Sequence, residues 1–205
     1  MRFDHLLILR YVKEGGKAID LGCGSGELLS LLKREKNVNG IGVDIKEKKV
    51  SLCIEKGLSA IQEDIDHVIK EYRDDSFDYV ILNDTLQTVD NPVDVLRGAV
   101  RIGKDVIVTF PNFAHYSIRY RLMMTGKMPK SENLPYEWHN TPNIHLFTIK
   151  DFIELSRKNG FRILESVFYD GGREMKGPGL LLPNLFAKNA LFVIRNGGPR
   201  GRRAL

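Results

Sequence analysis

The chain has 205 residues, 42% hydrophobic and 28% charged, enough for one domain with a sizeable core, and no apolar run nears the ~20 residues that span a bilayer. Its formal net charge of +5 is concentrated at the end: residues 195–205 hold Arg195, Arg200, Arg202 and Arg203 and no acid, and without them 27 basic residues face 26 acidic ones. A nearly neutral body argues against a nucleic-acid or membrane-surface partner, and the absence of a signal-peptide pattern points to the cytoplasm.

Residues 3–13 read as an amphipathic helix, with Leu6, Leu7, Ile8, Tyr11 and Val12 apolar and Gly15-Gly16 as its stop. A strand at 17–21 runs into Asp20-Leu21-Gly22-Cys23-Gly24-Ser25-Gly26, and the Leu28, Leu29, Leu31, Leu32 pattern behind it predicts a helix. A second strand, 39–44, ends in Asp44, and a helix near 46–56 stops at Gly57. A short third strand at 59–62 precedes a helix around 65–73. Residues 77–82 form a continuous apolar run, as a central parallel strand requires. Asn91-Pro92 opens the next helix and Gly103 closes it; a fifth strand at 105–110 stops at Pro111. Thr148 and Asp151 predict a capping box for a helix ending at Gly160, followed by strands near 161–169 and 190–195.

This alternation predicts an α/β protein with a Rossmann-like, doubly wound, mostly parallel seven-stranded sheet. No helix is predicted between the last two strands, so they are expected to pair antiparallel. Residues 111–147 show no clear period and are too long for an ordinary connection, which predicts a lid or an interaction surface inserted in a single domain over 1–195. The Gly/Pro/Arg stretch 196–205 is expected to be a disordered tail.

Three ligand readings compete for the glycine loop. A P-loop needs G-x-x-x-x-G-K-[ST], which is missing; a dinucleotide fingerprint needs a third glycine where Glu27 stands, and that carboxylate would repel a pyrophosphate. The segment resembles the class I S-adenosylmethionine-dependent methyltransferase loop, whose cofactor carries an α-ammonium and a sulfonium and so tolerates acids such as Asp20. A glycine turn of another α/β protein is the plain alternative. The resemblance implies a class I methyltransferase fold, which ends in an antiparallel strand pair, and a cofactor, S-adenosylmethionine or S-adenosylhomocysteine.

In open α/β sheets, ligands sit at the carboxyl ends of the strands. The loop itself supplies Asp20, Gly22, Cys23, Gly24 and Gly26. Asp44 can accept hydrogen bonds from two ribose hydroxyls, or it can cap the following helix. After the third strand, Asp64 matches the acid that contacts the adenine amino group in methyltransferases of this kind; its competing role is again an N-cap. Ile45, Ile65 and Asn83 complete the expected cofactor-binding set. No catalytic residue is assigned. His115, His139 and His145 fall in the insertion, and each could act as a base to deprotonate an acceptor or be structural. Cys23 and Cys53 have no metal-ligand spacing and read as small buried side chains, so no metal is expected.

A narrower resemblance rests on Phe110-Pro111-Asn112-Phe113-Ala114-His115, Gly126-Lys127-Met128-Pro129, Leu134-Pro135-Tyr136-Glu137-Trp138 and Thr141-Pro142-Asn143-Ile144-His145-Leu146. With Asp20-Leu21-Gly22-Cys23-Gly24, Phe77–Leu82 and Thr85-Leu86-Gln87, these segments are similar to the MetW family over roughly residues 3–195. One departure is Asn83-Asp84, where that family is expected to carry Ser-Gln. The resemblance implies a methionine-biosynthesis protein of methyltransferase fold that acts as a partner of homoserine O-acyltransferase, with S-adenosylmethionine as a bound signal or structural ligand. The alternative is an active small-molecule methyltransferase. Arg119, Tyr120, Arg121, Met123 and Met124 have the composition of an interface, or of a helix packed on the sheet.

Overall fold

The computed structural model describes residues 2–130 and 136–198, so Leu134 and Pro135 of the family resemblance and the tail from 199 lie outside it. The elements run α1 (Phe3–Tyr11), β1 (Lys17–Leu21), α2 (Glu27–Lys36), β2 (Asn39–Asp44), α3 (Glu47–Glu55), β3 (Ser59–Gln62), α4 (Ile65–Glu71), β4 (Phe77–Asn83), α5 (Pro92–Ile102) and β5 (Gly103–Pro111). They continue with α6 (Tyr116–Thr125), α7 (Ile149–Lys158), β6 (Phe161–Asp170), β7 (Arg173–Glu174), α8 (Pro183–Phe186) and β8 (Asn189–Asn196).

One sheet takes the order β3-β2-β1-β4-β5-β8-β6-β7. β1 to β5 are parallel, β8 runs antiparallel between β5 and β6, and β7 pairs antiparallel with β6. The expected architecture and the antiparallel ending are therefore present, with two corrections. The sheet has eight strands, not seven: β7 has two residues, too few to carry a period, and follows the Gly171-Gly172 turn, where both glycines have positive φ. The connection between the two long C-terminal strands is also not helix-free, because a 3₁₀ turn (Gly177–Leu181) and the four-residue α8 lie in it.

Strand alternation divides the core between the two faces of the sheet. Ile19, Leu21, Val80 and Leu82 pack with Val95, Leu96 and Ala99 of α5 and Phe152 of α7. Ala18, Tyr79, Ile81 and Ile107 pack with Leu7 and Ile8 of α1, with Val12 just beyond it, and with Leu28 and Leu32 of α2. Fully burying an aliphatic side chain contributes about 1.5–3 kcal/mol, and Val80, Ile81 and Leu82 are all fully covered, which makes β4 the spine of the fold.

Local signals hold at α7. The Thr148 hydroxyl accepts from the Asp151 N–H at 3.3 Å, and the Asp151 carboxylate accepts from the Thr148 N–H at 2.9 Å. Thr148→Ala is expected to cost about 1 kcal/mol, which lowers the melting temperature by ~2–4 °C in a chain of this size. Calorimetry with an unchanged melting temperature would show that the box contributes nothing.

The long stretch after β5 contains α6, a helix in a region without a readable period. It is not packed on the sheet: none of its residues is buried.

Candidate functional site

β2 and β3 lie on one side of β1, and β5 lies beyond β4 on the other, so the direction of winding reverses between β1 and β4. Such a switch point opens a crevice at the carboxyl ends of the strands. A cleft of about 470 Å³ lies there. Gly22, Asp44, Ile45, Asp64, Ile65 and Asn83 of the expected set line it together. Asp20, Cys23, Gly24 and Gly26 do not line it; they form the turn and the buried layer beside it.

The loop is held on the end of β2. The N–H groups of Gly22 and Cys23 both donate to the Val43 carbonyl, at 2.8 and 2.9 Å. The Asp44 carboxylate accepts from the Gly24 N–H through Oδ2 and from the Lys46 N–H through Oδ1, both at 2.9 Å. Lys46 is the N-cap of α3, so Asp44 stands outside the helix as a brace between loop and helix. Each of its oxygens retains a lone pair for a further donor.

The glycines have separate reasons to be glycine. A Cβ on Gly22 would lie 2.5 Å from Thr85 Oγ1, and one on Gly26 would lie 2.6 Å from Leu58 Cδ1 and 2.8 Å from Cys53 Sγ. At these two positions the close neighbour is the chain itself. Only at Gly24, which lies outside the cleft lining, would a Cβ meet open space. Cys23 and Cys53 are buried free thiols, 3.9 Å apart.

Asp64 is the N-cap of α4, accepting from the Asp66 N–H at 2.8 Å, so its structural role is real, and it also lines the cleft. At the end of β4 the Thr109 hydroxyl donates to Asn83 Oδ1 at 2.6 Å and accepts from the Asp84 N–H at 3.0 Å. Asp84 sits at a φ of 54°. Its carboxylate binds the Arg2 guanidinium, which also binds Asp4 at 2.6 Å. Burial pushes the Asp84 carboxyl up, and the Arg2 charge opposes that push. Asp84 joins the cleft to a second cavity of about 720 Å³, lined by Arg2, Tyr136, Asn143 and Tyr169 among others.

The cleft is acidic. Asp44, Glu63, Asp64, Asp66, Asp84 and Asp90 line it against Lys46 and Lys49. Such a lining disfavours a polyanion and suits a ligand that carries positive charge. Beneath the loop, Asp20 is 2% exposed and its Oδ1 has no hydrogen-bond partner. Burial, with the Asp44 charge adding, pushes its carboxyl up to about 7.

The Asp20 value has a thermodynamic consequence. An unfolded Asp titrates near 3.9, so between that pH and about 7 the folded protein holds the extra proton, and stability falls as the pH rises through this window. Asp20→Asn removes the dependence. Chemical denaturation at pH 5 and pH 8 is expected to show the parent losing more stability than the variant, by an amount on the order of a few kcal/mol. Parallel pH profiles for the two proteins would refute the assignment.

Of the three insertion histidines, none lines either cavity. His115 is buried, caps α6 by accepting from the Ser117 N–H, and is pushed down by burial. His145 contacts the Asp90 carbonyl at 3.3 Å, and His139 stands edge-on to Trp138. Sequence reasoning missed Arg2 as a site residue. Its partner Asp84 is 82 positions away, a distance over which a sequence gives no local signal. Among the described residues no group of three or more His, Cys, Asp or Glu side chains could hold a metal, and no helix is long and apolar enough to cross a membrane.

The family described as "Methionine biosynthesis protein MetW" matches residues 2–194. The bifunctional methionine biosynthesis protein MetXA/MetW of Rhodopirellula baltica is 34% identical over 202 residues, covering 94% of this chain and 32% of that protein. This chain thus spans about a third of that relative's length. Among solved structures, a chain of the complex between the Haloferax volcanii Trm112 methyltransferase activator and a methyltransferase superposes with a TM-score of 0.68 at 18% identity, covering 96% of this chain and 90% of that one. An S-adenosylmethionine-dependent methyltransferase of Thermotoga maritima gives 0.65 at 19% identity, covering 95% and 90%. These likenesses show the class I methyltransferase fold.

Proposed function

The chain belongs to the MetW family of methionine biosynthesis proteins, and from that footing we propose that it binds S-adenosylmethionine, or S-adenosylhomocysteine, and acts in the cytoplasm as the partner of a homoserine O-acyltransferase. The observation that carries the partner role is the Rhodopirellula baltica relative, in which a segment like this chain is one third of a bifunctional protein. Two activities joined in one chain there point to two proteins that meet here.

The cofactor reading rests on the chemistry of the cleft. Asp44 takes the ribose hydroxyls, Gly22 brings the loop backbone to the cleft wall, and Asp64 with Ile65 receives the adenine. Asn83 and Ile45 border the bound molecule. Asp20, Cys23, Gly24 and Gly26 shape the loop from behind. The acidic lining suits the α-ammonium and sulfonium of the cofactor. When bound, that cofactor supplies an activated methyl group, or serves as a signal of the pathway's product. The reading takes residues 1–195 as one domain, 111–147 as its partner-facing insertion and 196–205 as a tail outside both roles.

A second reading, active methyl transfer to a small molecule, is favoured by one observation: the second cavity meets the cleft at Asp84, Thr88 and Pro142, which leaves room for an acceptor beside the cofactor. It predicts S-adenosylhomocysteine formation with some acceptor.

The deciding experiment is homoserine O-acyltransferase activity of the cognate enzyme, alone and mixed with this protein, with and without S-adenosylmethionine. Activity is expected to rise on mixing, and a cofactor-dependent change would make the cleft a sensor. No effect with both proteins folded would remove the partner role and leave methyl transfer.

A further inference from the structure

We propose that the solvent-facing stripe of α6 is the docking element for the acyltransferase, and that it seats in an apolar groove rimmed by carboxylates. This rests on the partner role above and names the surface that carries it.

Tyr116, Tyr120, Met123 and Met124 stand at i, i+4, i+7 and i+8, so they form one face of the helix. In a helix packed on its own domain that face points inward. Here the same four side chains are 53, 59, 74 and 61% exposed, and no residue of the helix is buried. A ten-residue helix is marginal in water without a packed face. Yet this one has defined ends: the His115 side chain caps its start, and Gly126 closes it in the left-handed conformation, with its N–H on the Leu122 carbonyl. A terminated helix with an outward apolar stripe is the element that helix-in-groove recognition uses. Tyr and Met, with flanking Arg, are also the residue types enriched in interface cores.

Charge selects the occupant. Residues 116–127 contain Arg119, Arg121 and Lys127 and no acid, whereas Lys130 beyond them is paired with Glu137 at 2.7 Å. The Arg119 and Arg121 guanidinium groups bind the carbonyls of Ala114 and Lys130, so hydrogen bonding fixes their positions, and among the described residues no carboxylate pairs with either. A second copy of this chain meeting the face symmetrically would bring arginine against arginine, which disfavours self-association. A groove with an acidic rim is complementary. The ring of Tyr116 lies 6.2 Å from that of Phe186, and the neighbouring Leu181 and Leu182 are exposed, so the apolar surface continues past the helix. None of the four stripe residues lines the cofactor cleft or the second cavity, which separates docking from ligand binding.

The test compares the full-length protein with the Tyr120→Glu, Met123→Glu variant, measuring affinity for the cognate acyltransferase, S-adenosylmethionine binding, and sedimentation of each protein alone. The variant is expected to keep its cofactor affinity and to lose at least about 30-fold in affinity for the acyltransferase, as removal of an interface anchor does. The parent affinity is expected to fall as salt is raised, and Lys127→Glu to weaken it further. Equal binding by parent and variant, or binding insensitive to salt, would overturn the surface while leaving the partner role standing. Failure of the parent to bind would remove the partner role itself, and this occupant with it. A dimer of the parent alone that the variant dissolves would assign the face to a second copy and overturn the proposal.

Discussion

Asp44→Ala is expected to weaken S-adenosylmethionine binding at least 100-fold in calorimetric titration. Two ribose hydroxyls on one carboxylate make two charge-assisted hydrogen bonds, each contributing about 1.5–3 kcal/mol, and every 1.4 kcal/mol is tenfold in affinity. The substitution also removes the acceptor of the Gly24 and Lys46 N–H groups, so the loop loses its brace on β2. Asp44→Asn separates the two effects: its amide oxygen can still accept one of those N–H groups, but the charge is gone. An intermediate affinity is expected for it. Affinity for Asp44→Ala within threefold of the parent would sink the ribose assignment.

Gly22→Ala is expected to destabilise the fold by about 2–4 kcal/mol. Its φ of 84° is strained for any residue with a Cβ, and overlap in a packed site costs about 1–3 kcal/mol more. The obstacle is identifiable. The added methyl would meet Thr85 Oγ1 at 2.5 Å and Cγ2 at 2.8 Å. Thr85→Ala in the same chain removes both atoms, so the double variant should recover the overlap but not the φ strain. Denaturation of the two single variants and the double variant measures this coupling. Strict additivity would show that Thr85 is not what Gly22 avoids.

Much of the lining of the candidate cleft was legible in the sequence because the relevant signals are local. The glycine loop, the acid ending β2 and the Thr148–Asp151 box each occupy a few consecutive residues, and each has a backbone reason to be where it is. The strand ends that gather Asp44, Asp64 and Asn83 follow from the alternation of strand and helix. Where the reading failed, the cause was distance or brevity. Arg2, just ahead of α1, reaches Asp84, just past β4, and no local pattern announces such a pair. β7 is two residues long. α6 is legible only as an interface or a helix packed on the sheet, with no bounds, because Ile118 and Leu122 on the side opposite its stripe blur the period. The loop glycines were legible as glycines, but whether a Cβ would strike a ligand, Thr85 or Leu58 depends on atoms brought in from elsewhere in the chain.

The place of β8 also sets the order in which the molecule can be made. The strand nearest the end of the described chain lies inside the sheet, between β5 and β6. During synthesis β1 to β5 can associate as they emerge, but β5 keeps an open edge and β6 has no long partner until residues 189–196 leave the ribosome. A nascent chain stalled before residue 189 would therefore expose two unpaired strand edges, the kind of species that chaperones hold and that aggregates when they do not.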